Sequence, residues 1–275
     1  MPNIITPAVF ADVVNSKLGV KLRVAKLATD YTDAVDDITT YGSEVHFPVI
    51  DRITDAAVVE KGTALTPDEM NMSESVAEIK QVGKGVRIYD KDSAQVKGTL
   101  KDKLATQLAD AMAKAVDTDL VNNIRDEAAY KDTATELTAT VVDEAFNVFG
   151  DDVDNDTFAG ILINSKLRSA FMKMDEFTSI MKTNAAAGNG IVVDGIIGHW
   201  NGTIPVYVSD NGTYKENKSL MAVIKKDALG VIWQRVPNIE EEREAKLFAT
   251  DLVANEMYAS KLLQTDGVSV VEVGA

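Results

Sequence analysis

The stretch KDKLATQLADAMAKAVDTDLV, residues 101–121, decides how this chain is built. Around it Val96, Leu100, Leu104, Leu108, Met112, Val116, Leu120 and Ile124 recur every fourth residue. Thr99, with Asp102 three positions on, is a weak variant of a capping box that opens the helix. A step of four residues at 3.6 per turn advances about 40°, so the apolar face winds around the helix instead of holding one seam. A helix over Thr99–Glu127 is about 43 Å long at 1.5 Å per residue. Packed on different sides along its length, it reads as a beam. A buried helix of an ordinary α+β enzyme is the plainer alternative, although such helices keep a steadier stripe.

On the amino-terminal side, the clusters Glu44–Ile50 and Val76–Tyr89 flank a polar middle containing Gly62, Thr63, Pro67 and Asp68. They read as a long two-stranded excursion. A ribbon of two strands has little core of its own and is marginal in water. It needs a surface to lie on, such as another copy of the chain. Further upstream Val9, Val13, Leu18, Leu22 and Leu27 are loosely helical in spacing, with Lys17, Lys21, Arg23 and Lys26 on other faces. An amphipathic arm and an ordinary surface helix fit this pattern equally.

Beyond the beam, Thr140–Gly150 reads as a short helix, Gly160–Asn164 as a buried strand and Ser165–Phe177 as a helix with Leu167, Phe171 and Met174 inward. Thr183–Gly190 reads as a loop, and the turn signals Asn201-Gly202 and Asn211-Gly212 bracket a strand over Thr203–Val208. Leu220–Ile224, Leu229–Gln234, Phe248–Tyr258 and Val268–Val273 are strand candidates, with the charged run Glu240–Glu244 between them.

Composition removes whole classes of function. The 275 residues hold 43 Asp and Glu against 28 Lys and Arg, a net charge of -15. Such a surface repels a polyanion and argues against a sequence-independent grip on nucleic acid. The absence of Cys excludes disulfides, thiolate catalysis and cysteine zinc sites, and fits a reducing cytoplasm. No cationic leader precedes an apolar run and no stretch of about 18 apolar residues occurs, so a soluble chain without export signal or membrane span is expected.

Chemistry is scarce. Asp152–Asp156, within the acidic loop Asp151–Asp156, resembles the opening of a calcium loop, but Thr157 stands where the sharp turn needs Gly and Ile163 where the bidentate Glu belongs. The two histidines, His46 and His199, have no second His at metal-ligand spacing, and no Ser sits in a Gly-x-Ser-x-Gly turn. Gly83-Lys84-Gly85 lacks the third glycine of a dinucleotide loop and enters a strand. No catalytic residue, cofactor or metal is expected, and the profile favours a structural or assembly role over an enzyme.

The order of arm, excursion, long helix, central α/β region and closing strands resembles the major capsid protein of tailed bacteriophages, of the Hong Kong 97 fold. The strings that carry the resemblance are Val59–Pro67, the 101–121 helix, AGILINSKLRSAFMKMDEF at 159–177, DGIIGHWNGTIPVYVSDN at 194–211 and LMAVIKKDALGVIWQRVPNIEEEREAKLFATDLVANEMY at 220–258. Each is weakly specific alone; their order and spacing span nearly the whole chain. The resemblance implies an α+β capsid fold with residues 1–45 as N-terminal arm and 46–90 as an extended loop lying across a neighbouring subunit. It further implies 91–140 as the peripheral domain with its spine helix, 141–220 as the axial domain and 221–275 as the return to the peripheral domain. Lys61, Gly62, Thr63 and Pro67 would form the assembly contact at the loop tip, and Gly188, Asn189 and Gly190 the adaptable axial loop.

The function so implied is self-assembly, through hexamers and pentamers, into an icosahedral head enclosing double-stranded DNA without binding it tightly. A portal is an expected partner. A separate scaffolding protein is expected too, because the chain begins at Met1 almost directly on the arm, without a built-in scaffold. The protein would be made in the host bacterial cytoplasm and end in the virion. Lys61 has no matching Asn and Glu, so autocatalytic cross-linking is not carried over. The alternatives are an encapsulin-type nanocompartment shell, which closes unaided around a cargo enzyme, and a metal-dependent hydrolase using the Asp151–Asp156 cluster. In the shell reading an acidic lining would keep packaged DNA from sticking to the wall.

Overall fold

Two helices lie against each other at the centre of the structure, a computed structural model that describes residues 7–34, 44–50, 58, 72–91, 100–151, 157–179 and 195–274. They are α1, Pro7–Lys21, and α2, Leu100–Glu127. The expected cap at Thr99 lies outside the described residues. On α2 the row Leu108, Met112, Val116, Leu120, Ile124 is buried together with the adjacent row Ala105, Ala109, Ala113, Val121, whereas Leu104 is half-buried. The first half of this double row packs with Val14 and Leu18 of α1 and with Ile239, Leu252 and Ala254. The second half packs with Val24, Leu27, Leu162, Leu220, Tyr258 and Val270. The winding face therefore serves two cores. The amino-terminal segment is a docked helix in this chain: Lys17 Nζ donates to Thr106 Oγ1 at 2.9 Å and Lys21 pairs with Asp110 at 2.9 Å.

The first core lies under a sheet of β1 (Thr29–Asp30), β4 (Lys80–Tyr89), β12 (Leu229–Glu244) and β13 (Ala249–Leu262), in the order β1-β12-β13-β4. A second sheet takes β5 (Tyr130–Ala134), β6 (Phe158–Ile163), β7 (Phe177–Ser179), β8 (Ile196–Trp200), β9 (Ile204–Val208), β11 (Lys218–Lys225) and β14 (Val268–Val273), ordered β5-β14-β11-β6-β9-β8-β7. The short β10 (Tyr214–Lys215) pairs with β11. Strands β6 and β11 are covered on both faces and so read as unbroken apolar runs. Leu162, Leu220, Ala222 and Ile224 meet α2. Ile161, Ile163, Met221 and Val223 face an aromatic core with Phe146, Phe158, Phe171 and Trp200. Helix α3, Ala139–Asn147, closes that core, capped by the Thr138 hydroxyl accepting from Val141 N.

Two expectations change. The stretch 165–177 is a 3-10 turn and the four-residue α4, Arg168–Phe171, before β7, because Phe177 is taken into the sheet opposite Trp200; Leu167, Phe171 and Phe177 are drawn into the core and Met174 packs against it. The charged run 240–244 is strand, not connection: β12 continues through it, paired with residues 249–253 of β13. Positions 220 and 221 lie inside β11 of the second sheet, and the chain then crosses to the first sheet at β12. No helix among the described residues is long and apolar enough to cross a membrane.

Two buried carboxyls sit on this frame. Asp117, fully buried on α2, accepts from Arg23 N (3.2 Å), Val24 N (3.0 Å), Ala25 N (3.2 Å) and Asn211 Nδ2 (3.1 Å). Burial raises its pKa above the ordinary carboxylate value against the opposing pull of those four bonds. Asp117→Ala orphans all four donors; a loss of at least about 3 kcal/mol is expected in chemical denaturation. Glu256 of β13 is fully buried, and neither oxygen has a hydrogen-bond partner among the described residues. Burial pushes its pKa from 4.5 up to about 7. Its neutral form suits the fold, so this contribution is complete below pH 4.5 and is lost as pH rises through about 7. Glu256→Gln is expected to leave the melting temperature unchanged at pH 4.5 and raise stability at pH 8 by on the order of 2 kcal/mol, read by thermal melts across that range.

Candidate assembly surface

Two slender elements leave this body. The first is the ribbon of β2 (Glu44–Ile50) and β3 (Met72–Glu78), antiparallel with Glu44 opposite Glu78 and Ile50 opposite Met72. The sequence suggested one strand over Val76–Tyr89; it divides after Glu78, its first part pairing with β2 and its second, β4, with β13. The ribbon base is held by Val45, Phe47 and Ala77 against Ile232 and Ala259, with Tyr31 edge-on to Phe47 at 6.0 Å between ring centres. Phe47 is fully buried because position 230 is glycine: a Cβ there would stand 2.9 Å from both the Phe47 ring and Leu263. On the exposed part, His46 Nδ1 lies 2.9 Å from Glu74 Oε2. The expected tip residues Lys61, Gly62, Thr63 and Pro67 lie outside the described residues.

The second element is the distal half of the β12–β13 hairpin with the end of β4. Arg87 donates to Asp251 through Nε (2.7 Å) and Nη2 (2.6 Å), and to Glu244 through Nη2 (3.1 Å). Arg243 forks onto Asp90 at 2.7 and 2.6 Å. These hydrogen bonds hold the Asp251 and Asp90 carboxyls below their ordinary pKa. Between the two forks the turn carries Phe248 at φ 50°, a left-handed conformation that costs an L-aromatic residue on the order of 1 kcal/mol. Its carbonyl accepts from Asp90 N at 2.9 Å. The turn presents an apolar tip: Phe248 is 70%, Leu247 47% and Tyr89 46% exposed. Sequence reasoning missed this tip, although Leu247-Phe248 directly after a charged run was its signal.

The second sheet shows where the remaining candidates stand. His199 lies inside β8, paired with Thr178 and Pro205. Asn201 and Gly202, at φ 48° and 78°, make the β8–β9 turn that their dipeptide suggested. Gly188, Asn189 and Gly190, and the acidic residues 152–156, lie outside the described residues. Among the described residues no group of three or more His, Cys, Asp or Glu could hold a metal ion.

Comparison with known proteins follows the same lines. Residues 73–267 match the family described as phage capsid protein. Over 263 residues the chain is 26% identical to the major capsid protein of Staphylococcus phage phiMR11, covering 94% of this chain and 90% of that protein. A solved chain from Gordonia phage Cozz superposes with a TM-score of 0.65 at 12% identity, over 93% of this chain and 87% of that one. The capsid structure of cyanophage P-SCSP1u gives 0.59 at 16% identity, over 90% of this chain and 86% of that chain. These likenesses favour a shell protein of phage type over the nanocompartment and hydrolase alternatives. Gly230→Val is expected to loosen the ribbon base, since a buried Phe47 ring has nowhere to move; limited proteolysis should then cut between residues 44 and 78 faster while β12–β13 stays intact.

Proposed function

The chain belongs to the phage capsid protein family, with the Hong Kong 97 fold, and is a subunit of an icosahedral phage head; from this premise we propose how its parts divide the work. It is the major capsid protein, repeating as hexamers and pentamers. Residues 46–90 supply the extended loop on a neighbouring subunit, with Lys61, Gly62, Thr63 and Pro67 at the contact and β4 returning the chain to its own first sheet. Residues 1–45 act as the amino-terminal arm, and residues 91–140 and 221–275 build most of the peripheral domain around α2 as its spine. Residues 141–220 supply most of the axial domain, with Gly188, Asn189 and Gly190 in its adaptable loop. The family is a structural one, and this chain carries no catalysis of its own. A scaffolding protein and a portal join it during assembly in the host cytoplasm, and it ends in the virion.

The observation that carries this reading is the pairing of a doubly packed body with elements that leave it. The ribbon's described packing is confined to its base, and the hairpin tip holds three large apolar side chains in water. Exposed apolar surface of this kind marks an interaction site. With a net charge of -15 the packaged DNA is held by confinement and not by adhesion to the wall.

The test is assembly. Expression of the full-length chain with the scaffolding protein encoded beside it should yield closed shells in negative stain, whereas a compact monomer under all such conditions would overturn the reading. Gly62→Asp and Pro67→Asp are expected to reduce shell yield while leaving the melting temperature of the isolated subunit unchanged.

A further inference from the structure

The first sheet ends in two edges of opposite charge. Strand β4 runs for ten residues with Lys80, Lys84 and Arg87 and no carboxylate. Among the described residues no strand pairs with its side away from β13. At the other end of the sheet, β12 pairs with β1 only at Gly230 and Val231. Its distal stretch, residues 239–244, is thus a second open edge among the described residues, with Glu240, Glu241, Glu242 and Glu244 against the single Arg243. Some of these charges are already used inside the chain: Lys80 by Asp119, Arg87 by Asp251 and Glu244, Arg243 by Asp90. Lys84, Glu241 and Glu242 are exposed and have no ion-pair partner among the described residues.

An open edge offers unpaired N–H and C=O groups to another strand. Pairing two β4 edges sets cations against cations, and pairing two β12 edges sets acids against acids; like charges facing across strands are destabilising. The unlike pairing removes both repulsions. We propose that β4 of one copy docks beside the distal half of β12 of the next, so that the sheet continues from subunit to subunit. This rests on the reading of the chain as a shell subunit. The contact joins two different surfaces, so its repetition makes a ring when the rotation closes. Backbone pairing supplies attraction, and the charges select partner edge and register.

The experiment compares the full-length chain, assembled with its scaffolding protein, with Lys84→Glu, with Glu241→Lys/Glu242→Lys, and with all three substitutions together. Sedimentation velocity and electron microscopy read assembly, and thermal melts read the subunit fold. Each one-edge reversal should lower the assembled fraction about tenfold with an unchanged melt, and the triple variant should recover it because its edges match again. Hydrogen exchange on the unsubstituted protein is the second readout, usable even where a variant fails to fold: β4 amides should slow about tenfold on assembly. One-edge reversals that assemble normally, a triple variant no better than either, or β4 amides that stay fast in shells would each overturn the contact. A wild-type chain that never oligomerises would instead sink the shell reading itself, and the contact with it.

Discussion

Everything in the body hangs on the Asp117 carboxylate. It sits at the middle of α2, where the buried face turns from the first core to the second, and takes three successive backbone N–H groups from residues 23–25. The turn between α1 and β1 is thereby tied to the beam, and Asn211 brings the second sheet to the same atom pair. A buried carboxylate is tolerable only when its lone pairs are filled, and here four donors fill them. The site thus locks together the amino-terminal segment, the long helix and the loop after β9, which are distant in sequence.

With that lock in place, α2 works as a shared wall. Its alternating duty to two cores requires the apolar face to wind, and the second sheet can then be buried on both sides, by α2 on one and by the aromatic group around Phe171 and Trp200 on the other. Among the described residues the most exposed aromatic side chain is Phe248, at the tip of the hairpin whose turn is braced by Arg87 and Arg243, while the base of the ribbon is stapled by Phe47. The hairpin brace fixes the direction of its element while leaving the turn exposed, which is what a subunit needs if the burial is to be completed by a neighbour.

Charge is divided as well as abundant. The net -15 discourages adhesion to DNA over the whole chain, yet along one sheet a basic strand and an acidic strand occupy opposite edges. A uniform acidic coat would merely repel other copies; an ordered division gives each copy a preferred neighbour.

Local pattern alone determined α2, α3, the β8–β9 turn and the apolar strands β6, β11 and β14, because period, capping and turn chemistry depend on residues close in sequence. It also carried the family, through the order of its parts. The tertiary structure decided the rest. Glu240–Glu244 belong to a strand because residues 249–253 pair with them, against their charge. The stretch 165–177 stops short of a helix because Phe177 pairs with Trp200 in the second sheet. Asp117 and Glu256 are ordinary acids in the sequence, and only packing buries them, one held by four donors and one without a partner among the described residues. Burial and strand pairing join residues far apart in the chain, so no window along it contains them.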